Sequence, residues 1–321
     1  MPTDLQILTG QESFLALVDE TTWGEYPDPA TLIHLPVDTY DVEYVAETRN
    51  ATPFTGYRQR QHGRRFRGMP SGNLNTNLFG FRQAEGLPSL AEFLLTWAFG
   101  SPEAKFRASK SANWYEGLNV DNQRHRGLRV NQATLAGQEG GAITLALALM
   151  GRDQQGQTDV GNAPAVPFDR KKLVEFDFID STLTLGGTPI PYGGFSLVTN
   201  HNLTAPYLNS PEPISMPAGD TVETVTFSPP KLTNTWSEAI RDLNPEEQEV
   251  SATLVLKGLH MGTGAAETDW TQITITMPRL FLRAAKTGRQ RGILQQPLEF
   301  DVEKPQTSGG NGISIAYADV A

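Results

Sequence analysis

Short runs in which apolar and polar residues alternate recur along most of this chain, and they constrain its fold more than any other feature. Ile143, Leu145, Leu147 and Leu149 share one parity. Val42, Tyr44 and Ala46 alternate with Asp41, Glu43 and Glu47, and Leu298, Phe300 and Val302 alternate with Glu299, Asp301 and Glu303. A period of two places one set on a buried sheet face and the other in water. The same reading predicts strands at 40–49, 74–78, 128–130, 143–149, 173–178, 182–185, 195–199, 221–227, 252–256, 272–276, 280–282 and 298–302. Residues 1–27 look irregular apart from an apolar stretch at 14–18. With 30 Gly and 22 Pro among 321 residues and 38% hydrophobic content, the chain is globular and turn-rich rather than a helical bundle or a disordered polymer.

Two segments carry helical spacing. Pro88 and Ser89 open the first, in which Leu90, Phe93, Leu94, Trp97 and Ala98 fall on one face before Gly100. The second, at 234–243, places Trp236, Ile240 and Leu243 together. Between the halves, GRDQQGQTDVGNAPAVP (151–167) has linker composition. This predicts a first module at 1–151, a linker at 152–170 and a second module at 171–321, each a β module with one packed helix.

Four motifs also repeat in order. Asn50-Ala51-Thr52-Pro53-Phe54 is similar to 202–207, Met69-Pro70-Ser71-Gly72 to Met216-Pro217-Ala218-Gly219, and Phe93, Leu94 and Trp97 to Ala239, Ile240 and Leu243. Val130, Gly137, Gly141, Leu147 and Leu149 match Phe281, Gly288, Gly292, Leu298 and Phe300. Ordered matches at nearly constant offset point to an internal duplication.

Several function classes fall away. No apolar run approaches the roughly 20 residues of a membrane helix, and no secretory signal is expected from the first residues. The absence of cysteine excludes disulfides, thiolate metal sites and cysteine nucleophiles. No nucleophile elbow, phosphate-binding glycine loop or zinc-protease motif occurs. His34, His62, His125, His201 and His260 lack ligand spacing, so no metal or cofactor site is expected. Carboxylate pairs such as Glu43 with Glu47, or Glu299 with Asp301, could serve acid and base chemistry. Their alternation with apolar neighbours favours a solvated strand face instead, and no catalytic residue is assigned.

The net charge of −10 opposes nucleic-acid binding overall. Against it stands RQRQHGRRFR, with Arg58, Arg60, Arg64, Arg65 and Arg67 and no carboxylate. It lies in a long Gly- and Arg-rich connection at 50–72, of a length that is usually functional or disordered. Stacking aromatics are sparse there, so a contact with carboxylates of a neighbouring copy is the better functional reading.

Asp19-Glu20-Thr21-Thr22-Trp23-Gly24, Pro29 and the run 32–37 (LIHLPV) resemble the opening of tail tube proteins from long-tailed bacteriophages. The likeness continues through Arg65-Phe66-Arg67-Gly68 and the helix at 90–100, and more loosely over the C-terminal half. It implies β-sandwich modules flanked by a helix, with inner strands that join across subunits into a β-barrel ring. Rings would stack into a tube that conducts phage DNA, assembled in the host cytoplasm and carried in the virion. The 50–72 connection, with Arg58, Arg60, Arg64, Arg65 and Arg67, would lock one ring to the next. Asp41, Glu43, Glu47, Glu299, Asp301 and Glu303 would line the lumen, where DNA passes without binding.

Six modules per ring in this family, and two per chain, imply a trimeric pseudo-hexamer, with a hexamer as the alternative. Tape-measure, tail terminator and distal tail proteins are the implied partners. A distal tail or baseplate protein is the alternative within the same fold, and a carbohydrate-binding or hydrolytic β-sandwich the alternative outside it.

Overall fold

The computed structural model describes residues 14–20, 22–24, 33–35, 37–51, 62–80, 90–100, 106–112, 120–156, 175–229, 249–258, 271–285, 297–304 and 312–319. The first half contributes β1 (Phe14–Asp19), β2 (Ile33–Leu35), β3 (Thr39–Tyr40), β4 (Glu43–Ala51), β5 (His62–Asn77), β6 (Phe106–Ala112), β7 (Val120–Gln138), β8 (Thr144–Met150) and β9 (Asp153–Gly156). The second contributes β10 (Thr182–Leu185), β11 (Thr188–Ile190), β12 (Gly194–Asn200), β13 (Val222–Phe227), β14 (Glu249–Gly258), β15 (Thr271–Ala285), β16 (Leu298–Val302) and β17 (Ser314–Asp319). Among the described residues one α-helix, α1 (Leu90–Leu95), runs on into a π turn at Thr96–Gly100. The fold is mainly β, and the pairings between these strands are antiparallel.

Two long strands organise everything else. The start of β7 pairs with β6 and β9, and its end pairs with β8 and β12. The change of partners falls at Gly127, whose φ is +63°, and at a bulge between Val130 and Gln132. A Cβ on Gly127 would stand 2.8 Å from Trp23 Nε1, so both the backbone angle and the space there call for glycine. β15 behaves alike: its start pairs with β14 and β17, its end with β16, across a bulge between Leu282 and Ala284.

The result is one through-sheet in the order β4-β5-β8-β7-β12-β13-β16-β15, with β3 extending β4 along β5. Two outer sheets, β2-β1-β6-β7-β9 and β11-β10-β14-β15-β17, leave it along the two long strands.

Opposite faces of the through-sheet differ row by row. Thr76, Leu145, Leu135, Leu197, Val225, Phe300 and Leu282 are consecutive cross-strand partners, and all are buried. The next row, Asn75, Ala146, Thr134, Val198, Thr224 and Asp301, faces solvent. Buried side chains of the through-sheet, both outer sheets and α1 form a single cluster. α1 is buried on most of its surface, and Trp97 donates its indole N–H to Asp19 Oδ1 at 2.6 Å.

Several expectations are corrected. Residues 14–19, expected to be irregular, form β1. The connection expected over 50–72 is shorter, because 62–72 belong to β5 and pair with β4. Gly63, Gly68, Pro70 and Gly72 disguise that strand, and two of those glycines are needed by it. A Cβ on Gly68 would enter the Tyr44 ring, and one on Gly72 would meet the β4-side backbone at Asp41 and Val42. The strands expected at 128–130 and at 272–276 with 280–282 are parts of β7 and β15. The expected linker begins with a paired strand, β9. Met69–Gly72 lies inside β5 whereas 216–219 precede β13, and the register sets Gly72 opposite Leu149 where Val225 sits opposite Phe300. That motif match therefore does not survive. The helix expected at 234–243 lies outside the described residues.

Candidate assembly interface

Among the described residues the through-sheet has an internal seam and two unpaired borders. At the seam, 132–138 of β7 pair with 194–200 of β12, joining the halves edge to edge. Tyr40 sits opposite Leu74 as Phe195 sits opposite Phe227, so β3 and β4 hold in the first half the place that β12 holds in the second. Among the described residues β12 has β7 on its second side, and β3–β4 has no strand there. β15 likewise stands where β7 stands, and beyond Leu282 it is paired only with β16 among the described residues.

The strand directions give the sheet two ends. At one end lie the end of β4, the start of β5 and the segment 201–221 between β12 and β13. The latter folds back over the first half. Arg129, buried on β7, donates to Met216 O, and the bulge residue Asn131 accepts His201 N–H on its carbonyl and Leu203 N–H on Oδ1 at 2.9 Å. His201 is buried with Nε2 3.2 Å from Ala98 O, and burial lowers its pKa below the ordinary histidine value. Gly68 N–H reaches Pro211 O at 3.0 Å.

At the opposite end, the β7–β8 turn and residues 175–193 surround a concave site of about 630 Å³ lined by Phe178, Ile179, Leu183, Ile190, Pro191 and Tyr192. Burial pushes the Tyr192 hydroxyl up to about 12, while its hydrogen bond to Ser181 pulls it down.

The sequence-predicted residues scatter across this frame. Arg58 and Arg60 lie outside the described residues. Arg64 and Arg65 are in β5, opposite Arg49 and Thr48. Arg67 grips Glu47 through two bonds of 2.6 and 3.1 Å and stacks over the Tyr207 ring at 4.9 Å. That pairing holds the Glu47 carboxyl below the usual range. Asp41 and Glu43 are exposed on the solvent face of the through-sheet, while Val42 between them is buried. Glu299 and Asp301 share that face, with Arg283 Nη1 3.6 Å from Asp301. Glu303 pairs with Arg279 at 2.9 Å. Among the described residues no group of three or more potential ligands could hold a metal, and no helix is long and apolar enough to cross a membrane.

What the sequence reading left without a structural role is the Glu20 turn. Glu20 is 4% exposed, and its carboxylate accepts Gly24 N–H at 2.7 Å and Gly127 N–H at 3.0 Å. Trp23 donates to Gly127 O at 2.8 Å, and Arg152 lies over its ring at 5.5 Å. The Glu-Thr-Thr-Trp-Gly stretch is thus a clasp on the bend of β7. The turn-like run Asp19-Glu20-Thr21-Thr22-Trp23-Gly24 was the available signal.

No relative among curated proteins matches the chain. A family model described as phage tail tube protein matches residues 10–302, nearly the whole length, and includes the clasp, both long strands and the seam. This chain therefore belongs to the phage tail tube protein family: it is a structural component of the virion tail that assembles into a tube.

Proposed function

We propose that this chain is the major tail tube subunit of a siphophage-type virion, and that three copies close each ring. The observation that carries this reading is the seam. A β7-type border meets a β12-type border within one chain, and among the described residues one further border of each kind stays unpaired, on β15 and on β3–β4. Head-to-tail pairing of those borders repeats the internal seam between chains, and a rotation that closes produces a ring whose through-sheet has no edge.

The same order of pairings in both halves supports an ancestral duplication: β1-β2-β4-β5-β6-β7-β8-β9 corresponds to β10-β11-β12-β13-β14-β15-β16-β17. Each chain then supplies two of the six wall modules implied by the resemblance. The solvent face of the through-sheet becomes the lumen. Its central strands present Asn, Ala, Thr, Gln and Ser, and Asp41, Glu43, Glu299 and Asp301 flank them. In the register Asp41 and Glu43 stand where Ser196 and Val198 stand in the second half. Uncharged and acidic walls let DNA slide past without adhering. The tape-measure, terminator and distal tail proteins are the expected partners of such a tube.

Native mass spectrometry of isolated rings tests this: three chains are expected, and six would refute the two-module reading. Negative-stain microscopy of the wild-type protein should show long tubes. Rings that never elongate would move the chain to a distal tail or baseplate role, and a monomer carrying sugar-binding activity would remove it from the tube altogether.

A further inference from the structure

Segment 201–221 belongs to the second half by sequence, yet much of what holds it lies on three elements of the first. On β7, Arg129 donates to Met216 O, and Asn131 accepts the N–H groups of His201 and Leu203. On the π turn, Ala98 O lies 3.2 Å from His201 Nε2. On β5, Gly68 N–H reaches Pro211 O at 3.0 Å, and Arg67 stacks over Tyr207. The first half has no counterpart to this crossing: β4 continues as a strand through Ala51, whereas β12 stops at Asn200 and the chain folds back over the seam.

The two ends of the segment are tied to each other. Gly219 N–H donates to His201 O at 3.0 Å, Asn202 Nδ2 donates to Asp220 O at 2.7 Å, and Asn202 N–H donates to Asn200 Oδ1 at 3.0 Å. Asn202 holds φ +47°, a left-handed angle that asparagine tolerates better than most residues. Thr204 N–H to Pro217 O and Ile214 N–H to Pro206 O, both at 3.1 Å, brace the interior. A closed unit held to the rest of the fold by few bonds can detach as a whole rather than unravel.

His201 stands at the crossing, 2% exposed. Ala98 O can only accept, so Nε2 carries the proton of the neutral ring, and Nδ1 faces Thr221 Oγ1 at 3.4 Å. Arg129 of β7, the charge that bears on the ring, is a buried cation. The π turn carries no charged residue. The acids on the surrounding elements are Glu92 of α1, Glu212 and Asp220 of the segment and Glu223 of β13; Asp220 is exposed and the other three are half-buried. A second proton on the ring would set an imidazolium beside a guanidinium away from water. Burial first, and Arg129 with it, hold the ring's pKa below the ordinary histidine value against the pull of the Ala98 hydrogen bond. Burial raises the Glu223 pKa, so that group favours the folded form more as pH falls and opposes the effect of His201.

We propose that segment 201–221 is a strap that locks the second half onto the first across the seam, and that protonation of His201 releases it. The neutral ring completes the lock. The charged ring places two cations together in a buried site, and the strap swings away about Asn202 until the imidazolium is hydrated. Docking therefore weakens as pH falls below about 6.5, by at most about tenfold per pH unit. Every contact lies within one chain, so the lock is present in the unassembled subunit and does not depend on the ring reading.

Amide hydrogen exchange of the unassembled full-length protein, read by mass spectrometry and corrected for the intrinsic pH dependence of exchange, tests both parts. At pH 7.5, peptides spanning 201–221 should be protected, and at pH 5 that protection should fall about threefold or more while 195–199 of β12 keep theirs. Unprotected strap amides at pH 7.5 would overturn the lock, and equal protection at the two pH values would overturn the release. His201→Gln cannot take up the proton yet keeps a donor for Ala98 O, so its strap should hold within about twofold over the same range. A loss at pH 5 that survives in this variant would assign the release to another group. If the variant loosens the strap at both pH values, the imidazole signal missing from its NMR spectrum identifies His201 in the wild type. A release midpoint within about one pH unit of that ring's own titration supports the latch, and a wider separation overturns it.

Discussion

Replacing Glu20 by alanine should destabilise the unassembled subunit by about 2–4 kcal/mol. The figure follows from what the carboxylate does in place. It is buried, and it accepts the N–H groups of Gly24 and Gly127. Alanine leaves both donors without that partner, and an unsatisfied buried N–H costs about 1–3 kcal/mol. Water entering the vacated volume would recover part of the loss, which sets the total below the simple sum. For a chain of this length each kcal/mol corresponds to about 2 °C in Tm, so a fall of about 4–8 °C is expected. Glu20→Gln keeps one acceptor oxygen and should lose about half as much. Urea titration and thermal melting of the unassembled protein at neutral pH measure the effect. An alanine variant melting within about 1 °C of wild type would refute the clasp, and with it the explanation of why the Glu-Thr-Thr-Trp-Gly turn lies against the bend of β7.

Two further outcomes are expected. Burial lowers the His201 pKa, so the unfolded chain binds a proton more readily; the stability from neutral His201 is present above about pH 6.5 and drains as pH falls, by at most about 1.4 kcal/mol per unit. His201→Gln, which retains a donor for Ala98 O, should flatten the Tm profile between pH 7.5 and pH 5, and an unchanged profile would show that another group governs it. Thr134→Lys with Thr224→Lys adds two cations to the solvent face of the through-sheet, so tubes of this variant should retain DNA at low salt and release it as salt rises. Equal DNA retention by variant and wild-type tubes would mean that this face does not line the lumen.

How much of this was legible in the sequence depended on whether a segment's partners were local. β8, β12 and β16 were readable because each carries its own alternation and is bounded by turns. α1 was readable because its apolar spacing ends at a glycine. β5 was not, since its first half carries arginines, glycines and a proline where an alternating apolar run would announce a strand, and its pairing partner β4 lies across a connection. β7 and β15 were underread for a different reason. Each changes sheets midway, so the buried parity resets at the bulge and a single-period pattern breaks exactly where the strand continues, at Asn131 and at Arg283. The candidate interface was harder still. Alternation placed Asp41, Glu43, Glu299 and Asp301 correctly on a wet face, but only the fold sets Glu47 against Arg67, and only the fold brings Met216 to Arg129.

The open borders raise the question of why such a subunit would not pair wrongly. A long exposed strand edge is a template for any other edge. On β3–β4, Asp41 turns its carboxylate back to accept Asn73 N–H, and Glu43 stands exposed two residues on. Two such borders brought together symmetrically would set these acids against one another, and like charges directly opposed across a strand pair are destabilising. The border on β15 carries Arg283, which is 61% exposed beside Asp301. A β3–β4 border approaching β15 therefore meets Arg283, whereas one approaching its own kind brings Asp41 and Glu43 toward a second Asp41 and Glu43. In the proposed tube, the charges on this solvent face thus also favour the head-to-tail direction. A ring closed in that direction consumes every border, while a symmetric dimer would leave the two β15 borders open.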